Sequence, residues 1–99
     1  MAISGSAGGG SGFKWHRVPG GLKQIDSGPI GRVWGVNKRN QVWCRKGITW
    51  KRPAGNRWKR VGGRFKHVSV GQYGVWAITP RNYIRYRIGI RRGVPQGTK

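Results

Sequence analysis

The chain carries one stretch of sequence written twice. The first copy runs from Trp15 through WHRVPGGLKQIDSGPIGRVWGVNKRNQVWCRKGITWKRPAGNR, and the second from Trp58 through WKRVGGRFKHVSVGQYGVWAITPRNYIRYRIGIRRGVPQGTK. A single gap, at Arg32, brings them into register, and 16 of 42 aligned pairs are then identical. A period of roughly 42 residues is that of propeller blades and solenoid units, where one repeat buries its apolar face only against stacked neighbours. Such arrays need about three repeats or more. Two repeats therefore predict a piece of a ring that copies of the chain close together.

Within each repeat, short runs of alternating apolar and polar residues are bounded by Gly, Asn and Pro, the pattern of an all-β meander. Strands are expected at 22–27, 32–37, 41–46 and 58–61, then at 65–70, 75–79 and 83–88. The Asn37–Asn40 turn joins the second and third, with Asn suited to turn backbone. No apolar spacing of three to four residues is sustained, so no helix is expected. The chain divides into a Gly/Ser-rich linker over 1–12, an outer strand over 13–18, a first blade over 19–61 and a three-stranded second blade over 62–99. This phasing lets the leading strand of one copy complete the open blade of the next, with Trp15 and Val18 as the closing residues. The contact is head-to-tail, and it covers a sheet edge. Residues 1–12 read as an engineered linker, without the basic start and apolar run of a secretory leader. No apolar stretch approaches the roughly 18 residues of a membrane helix, so membrane insertion is not expected.

Charge is the second constraint. The chain has 21 Lys and Arg against one carboxylate, Asp26, for a formal net charge of +20. Self-repulsion of this size opposes compaction and favours polyanionic partners, nucleic acid or acidic glycans. Solubility alone would also be served by such a surface. The candidate polyanion-binding residues are Arg17, Arg39, Arg45, Lys46, Lys51, Arg52, Arg57, Arg60, Arg81, Arg85, Arg87, Arg91 and Arg92. Arg39 and Arg81, Arg45 and Arg87, and Arg17 and Arg60 recur at equivalent positions, so a ring would present each once per blade.

Catalysis finds little support. One carboxylate rules out a carboxylate pair for glycoside hydrolysis within a chain. His16, His67, Cys44 and Asp26 show no ligand spacing, so no metal or cofactor is expected. Cys44 is the single cysteine and is matched by Tyr86, which suits a small packing residue. Asp26 is matched by Ser69, which suits a turn or solvent role. The remaining chemistry is that of rings among cations. Trp15 and Trp58 are equivalent, as are Trp34 and Trp76, which predicts packing between blades. Trp43 and Trp50 are matched by Arg85 and Arg92, so the repeat does not require them. With Tyr83 and Tyr86 they are the candidates for stacking on sugars or bases.

The segments LKQIDSG, VWGVN, FKHVSVG and RKGITWKRPAGNRW recur in order and resemble the tectonin repeats of fish-egg and horseshoe-crab lectins. The resemblance runs from Trp15 to Lys99. It implies a β-propeller, commonly six-bladed, that binds sugars or bacterial surface glycans such as lipopolysaccharide. Two blades per chain then imply a homotrimer, with a tetramer of eight blades as the other closure. Family members carry carboxylates in the turn after the V-N pair and near the P-x-G loop; here those places hold Lys38, Arg39, Asn40, Ala54 and Gln96. That pattern reads as a lectin scaffold made positively supercharged by design or selection. Three functions follow as expectations: a self-assembling polyanion binder, an inherited lectin, or a building block without a ligand.

Overall fold

A computed structural model describes residues 14–88 and Gly97. The Gly/Ser linker, Arg91, Arg92 and most of the last loop lie outside the described residues. Seven strands run in chain order: β1 (Gln24–Gly28), β2 (Arg32–Val36), β3 (Gln41–Lys46), β4 (Arg57–Arg64), β5 (His67–Val70), β6 (Val75–Ile78) and β7 (Ile84–Arg87). They form two antiparallel meanders, a four-stranded sheet β1-β2-β3-β4 and a three-stranded sheet β5-β6-β7. The architecture is all-β, as the alternation predicts, and no helix is present among the described residues.

The two repeats fold alike down to their turns. Asn37 closes the first turn, its Oδ1 accepting from the N–H groups of Arg39 (3.0 Å) and Gln41 (2.9 Å). Thr79 does the same in the second, its Oγ1 accepting from Tyr83 N at 2.9 Å. Asn40 and Asn82 follow at φ 63° and 71°. Asn tolerates this left-handed backbone because its short polar side chain bonds locally. Lys23 Nζ donates to Asn40 Oδ1 and Lys66 Nζ to Asn82 Oδ1, so the lysine just before the first strand of each sheet holds the turn.

The strands begin or end within a few residues of their expected bounds, and the one at 58–61 differs most. β4 continues three residues past Val61, because Gly62 and Gly63 form a bulge. Val42 pairs with Val61 while Gln41 pairs with Arg64. Gly63 sits at φ 91°, and a Cβ there would stand 2.8 Å from the Phe65 ring. The bulge bends the chain out of the first sheet and delivers Phe65 to the core, where its N–H donates to Asn40 O at 2.9 Å. This fits the usual effect of an extra residue, which bends the bulged strand and ends regular pairing.

The core lies between the sheets. Trp34, Val36, Val42, Cys44 and Val61 of the first meet Val68 and Val75 of the second, with Phe65, Val70 and Ala77 against them. Polar side chains fasten the same junction. Gln24 Nε2 donates to Val68 O (2.7 Å) while Val68 N donates to Gln24 Oε1 (2.9 Å). Val70 N donates to Asp26 Oδ2 at 2.7 Å. Buried Arg32 donates from Nη1 to Gly71 O (3.1 Å) and Gln72 O (2.5 Å). Asp26 is therefore an inter-sheet acceptor rather than a turn or solvent residue. Gly28 permits the approach, since a Cβ there would lie 2.6 Å from Val70 Cγ1.

Cys44 is fully buried and packs in this core, as its apolar surroundings require. Burial pushes the thiol up from its ordinary range, with Lys46, Lys59 and Arg87 pulling the other way.

Three outcomes follow. Gln24→Leu leaves the Val68 N–H and C=O without their partners, so stability in urea is expected to fall by about 1–3 kcal/mol, the cost of an unmet buried group. A neutral thiol in the native state reacts slowly, so Cys44 should resist a disulfide reagent until the chain unfolds. Because the unfolded chain gives up the thiol proton first, stability should decline as pH rises through and beyond the ordinary thiol range. Labelling at rising urea, repeated at two alkaline pH values, measures both effects.

Candidate functional site

Cross-strand register builds a checkerboard on the outer face of the first sheet. Trp43 of β3 stands opposite Arg60 of β4, and Arg45 opposite Trp58. Successive residues of a strand alternate between faces, so all four project to one side. Arg45 Cζ lies 5.0 Å from the Trp58 ring and Arg60 Cζ 6.0 Å from that of Trp43. At this range a guanidinium is drawn to the ring face by its quadrupole.

A groove of about 210 Å³ opens beside the checkerboard, lined by Gly20, Gly21, Leu22, Asn37, Trp43 and Trp58. Trp58 Nε1 donates to Pro19 O at 2.6 Å, which holds that ring in place. The groove shares Gly21, Leu22 and Asn37 with a shallower recess of about 420 Å³, whose rim adds Lys23, Lys38 and Arg39. Rings with a polar amide and a cationic lip suit the flat face of a sugar or base carrying an anionic substituent. A second cleft, of about 220 Å³, lies between the two sheets and is lined by Trp34 and Phe65 together with Arg85, Tyr86 and Arg87.

The sequence-derived residues fall into three groups. Arg17, Arg39, Lys51, Arg52, Arg57, Arg60, Arg81 and Arg85 are exposed, as a contact surface requires. Lys46 and Arg87 are half-buried. Arg45 is a correction: it is 7 % exposed, stacks on Trp58 and donates from Nε to Ala54 O at 2.7 Å. Held in this way beneath the loop, it offers little to a ligand.

The rings also divide. Trp50 is 87 % exposed at a loop tip, with Lys51 Nζ 5.6 Å from its ring. Trp43 is half-buried as a wall of the groove. Tyr83 pairs with Arg85 at 5.7 Å. Tyr86 packs on Trp76 at 4.8 Å between centroids and donates its hydroxyl to Tyr73 O at 2.9 Å. Trp34 is buried between sheets as its recurrence predicts, whereas its equivalent Trp76 is 54 % exposed because no third sheet covers it. Trp15 is fully exposed and Val18 half-buried; residues 14–18 belong to neither sheet of their own chain. The inter-sheet roles of Gln24 and Arg32 are new with the structure. Arg32 had a signal, being the one gap in the repeat alignment.

No group of three or more His, Cys, Asp and Glu that could hold a metal ion occurs among the described residues. No helix among them is long and apolar enough to cross a membrane.

The tectonin domain model matches residues 7–99. Tectonin-1 of Physarum polycephalum is 50% identical over 32 residues, 32% of this chain, and the chain spans only 15% of that protein's length. The family match takes in both repeats and both sheets, and on that span the chain belongs to the tectonin family.

Proposed function

We propose that this chain is a non-catalytic binding protein that holds polyanions, nucleic acid or acidic glycans, on its cationic surface. The observation that carries the reading is the charge balance. One carboxylate side chain stands against 21 cations, and that carboxylate is engaged with the Val70 N–H between the sheets. Nearly all the Lys and Arg therefore have no anionic side chain to neutralise them. A phosphate or sulfate polymer would supply the missing charge and release its own counterions on binding. Exposed Lys51, Arg52, Arg57, Arg60 and Arg81 supply the contacts.

Membership of the tectonin family suggests lectin-type carbohydrate binding, and one feature favours this second reading. The Trp43–Trp58 groove, with Asn37 at its side, has the ring walls and polar amide that a sugar needs. The two readings differ in what salt does to them.

The larger assembly belongs to the proposal as well. The first sheet has four strands and the second has three among the described residues, with β7 at its edge. Trp15–Val18 of a neighbouring copy would add the fourth, and closed rings of three or four copies would hold six or eight blades.

Affinity for a short DNA duplex or heparin is expected to fall steeply with salt and to be lost by about 0.5 M, as phosphate contacts dictate. Arg60→Ala should weaken binding uniformly across sequences and reduce the log–log salt slope by about 1. Titration at four salt concentrations measures both, and salt-independent affinity would defeat the electrostatic reading. The lectin reading expects binding of a neutral amino-sugar that survives the same salt and drops about tenfold or more in Trp43→Ala, the scale of a lost stacking contact.

A further inference from the structure

We propose that the bare face of the second sheet docks on the outer face of the first sheet of another copy, and that this contact completes the Trp43 groove. The inference rests on the ring reading and names the surfaces through which the ring would close.

Register divides the second sheet into two faces. Val68 pairs with Ala77 and Val70 with Val75, and these four pack toward the first sheet. The opposite face holds His67, Ser69, Trp76, Ile78, Ile84 and Tyr86. In a chain of net charge +20 this face carries no lysine and no arginine. Trp76 is 54 %, Ile84 66 % and Tyr86 42 % exposed. An apolar patch without cations, in a chain otherwise crowded with them, marks a surface that makes contact.

The chain itself shows what covers such a face. By the repeat alignment these six positions correspond to Gln24, Asp26, Trp34, Val36, Val42 and Cys44. In the first sheet Trp34, Val36, Val42 and Cys44 are at most 2 % exposed, because the second sheet lies over them. The same surface thus occurs twice, once covered and once bare.

The covering surface also occurs twice. Val68, Val75, Ala77 and Arg85 correspond to Ile25, Val33, Gly35 and Trp43 on the outer face of the first sheet. Ile25 there is 59 % exposed. Leu22 lies against Gly35 and Trp43 is half-buried, so this second surface is open mainly at Ile25. Each chain nevertheless carries both surfaces a second time, and repeating the internal junction between copies would cover both. That is a heterologous contact, which closes into a ring when the rotation fits.

His67 and Ser69 stand where Gln24 and Asp26 stand, placed to reach the β1 edge of the next copy at Ile25 and Ser27. Arg85 lines the inter-sheet cleft with Trp34. Its equivalent, Trp43, would accordingly face a neighbour's Trp76 and gain a second aromatic wall. Arg32 has no counterpart in the second repeat, so the junction between copies lacks the clamp that fastens the junction within one.

The test uses the whole chain at about 0.5 M salt, where repulsion between copies is screened to within a few ångströms. Native mass spectrometry is expected to show a closed ring for the unmodified chain. Ile84→Lys blocks one face and Ile25→Lys the other, and each alone should lose the ring. Mixed, they retain one good face apiece and should form a 1:1 pair, a result that misfolded variants cannot give. Ile84→Gln, a milder change, should weaken the ring without unfolding the chain. A ring that persists unchanged in the Ile84 and Ile25 variants would overturn the assignment of faces and leave ring closure standing. An unmodified chain that stays monomeric would overturn ring closure and this proposal together.

Discussion

Everything else in the structure depends on how β1 docks against the edge of β5. The two sheets share no backbone ladder. The side-chain amide of Gln24 and the carboxylate of Asp26 take the place of a neighbouring strand, meeting the Val68 and Val70 N–H groups and the Val68 C=O. Without them those groups would face an apolar core, where an unmet amide costs more than a met one contributes. The apolar share of the junction is modest, a handful of valines around Trp34. A chain of this length buries limited surface, and its cations repel one another throughout. Docking of two thin sheets by a few directed polar contacts therefore fixes their mutual arrangement, and with it the inter-sheet cleft, the buried thiol and the faces left bare.

Much of this could be read from the residues. Alternation places all seven described strands within a few positions, because short alternating runs bounded by Gly, Asn and Pro report strand and turn directly. The repeat placed Asn40 and Asn82 in equivalent turns, and both adopt the left-handed backbone that selects Asn. The end of β4 is not legible, since two glycines after Val61 interrupt the apolar alternation while in space they form a bulge and the strand runs on to Arg64. Arg45 shows the limit more sharply. A recurring arginine beside a tryptophan suits a ligand surface and a packed loop equally well, and only the Ala54 carbonyl decides between them. The inter-sheet roles of Asp26 and Arg32 are hidden in the sequence for a related reason. Their partners lie some forty residues along the chain, and one sequence does not show which strands of two sheets meet.

The Trp43, Arg60, Arg45 and Trp58 checkerboard carries a second consequence of register. Two strands of alternating ring and cation, laid antiparallel, put every cation opposite a ring. Cations that would repel one another in a row are separated by aromatic faces that attract them. The arrangement keeps several cations on one sheet face and still lets the strands pair, an option open to a chain that has almost no carboxylates to use instead.

Charge and contact are segregated over the rest of the surface, and the physics of desolvation gives the reason. Taking an unpaired guanidinium or ammonium out of water costs several kcal/mol even after relaxation. Two copies of net charge +20 therefore meet at less cost where one of the two faces carries no cation, as the face of Trp76, Ile84 and Tyr86 does, while the face it would dock on holds Arg45 and Arg60, each already drawn to a ring. Cations left at the rim of such a contact remain hydrated, yet they gather at higher density than on a single chain. A polyanion lying along that rim would screen their repulsion and so bind the assembled form more tightly than the separate chains. By linkage, what binds the assembly more tightly also stabilises it. Ligand capture and assembly would then be two readings of one charge balance, with the uncharged face setting where copies join and the cationic rim setting how firmly they stay joined.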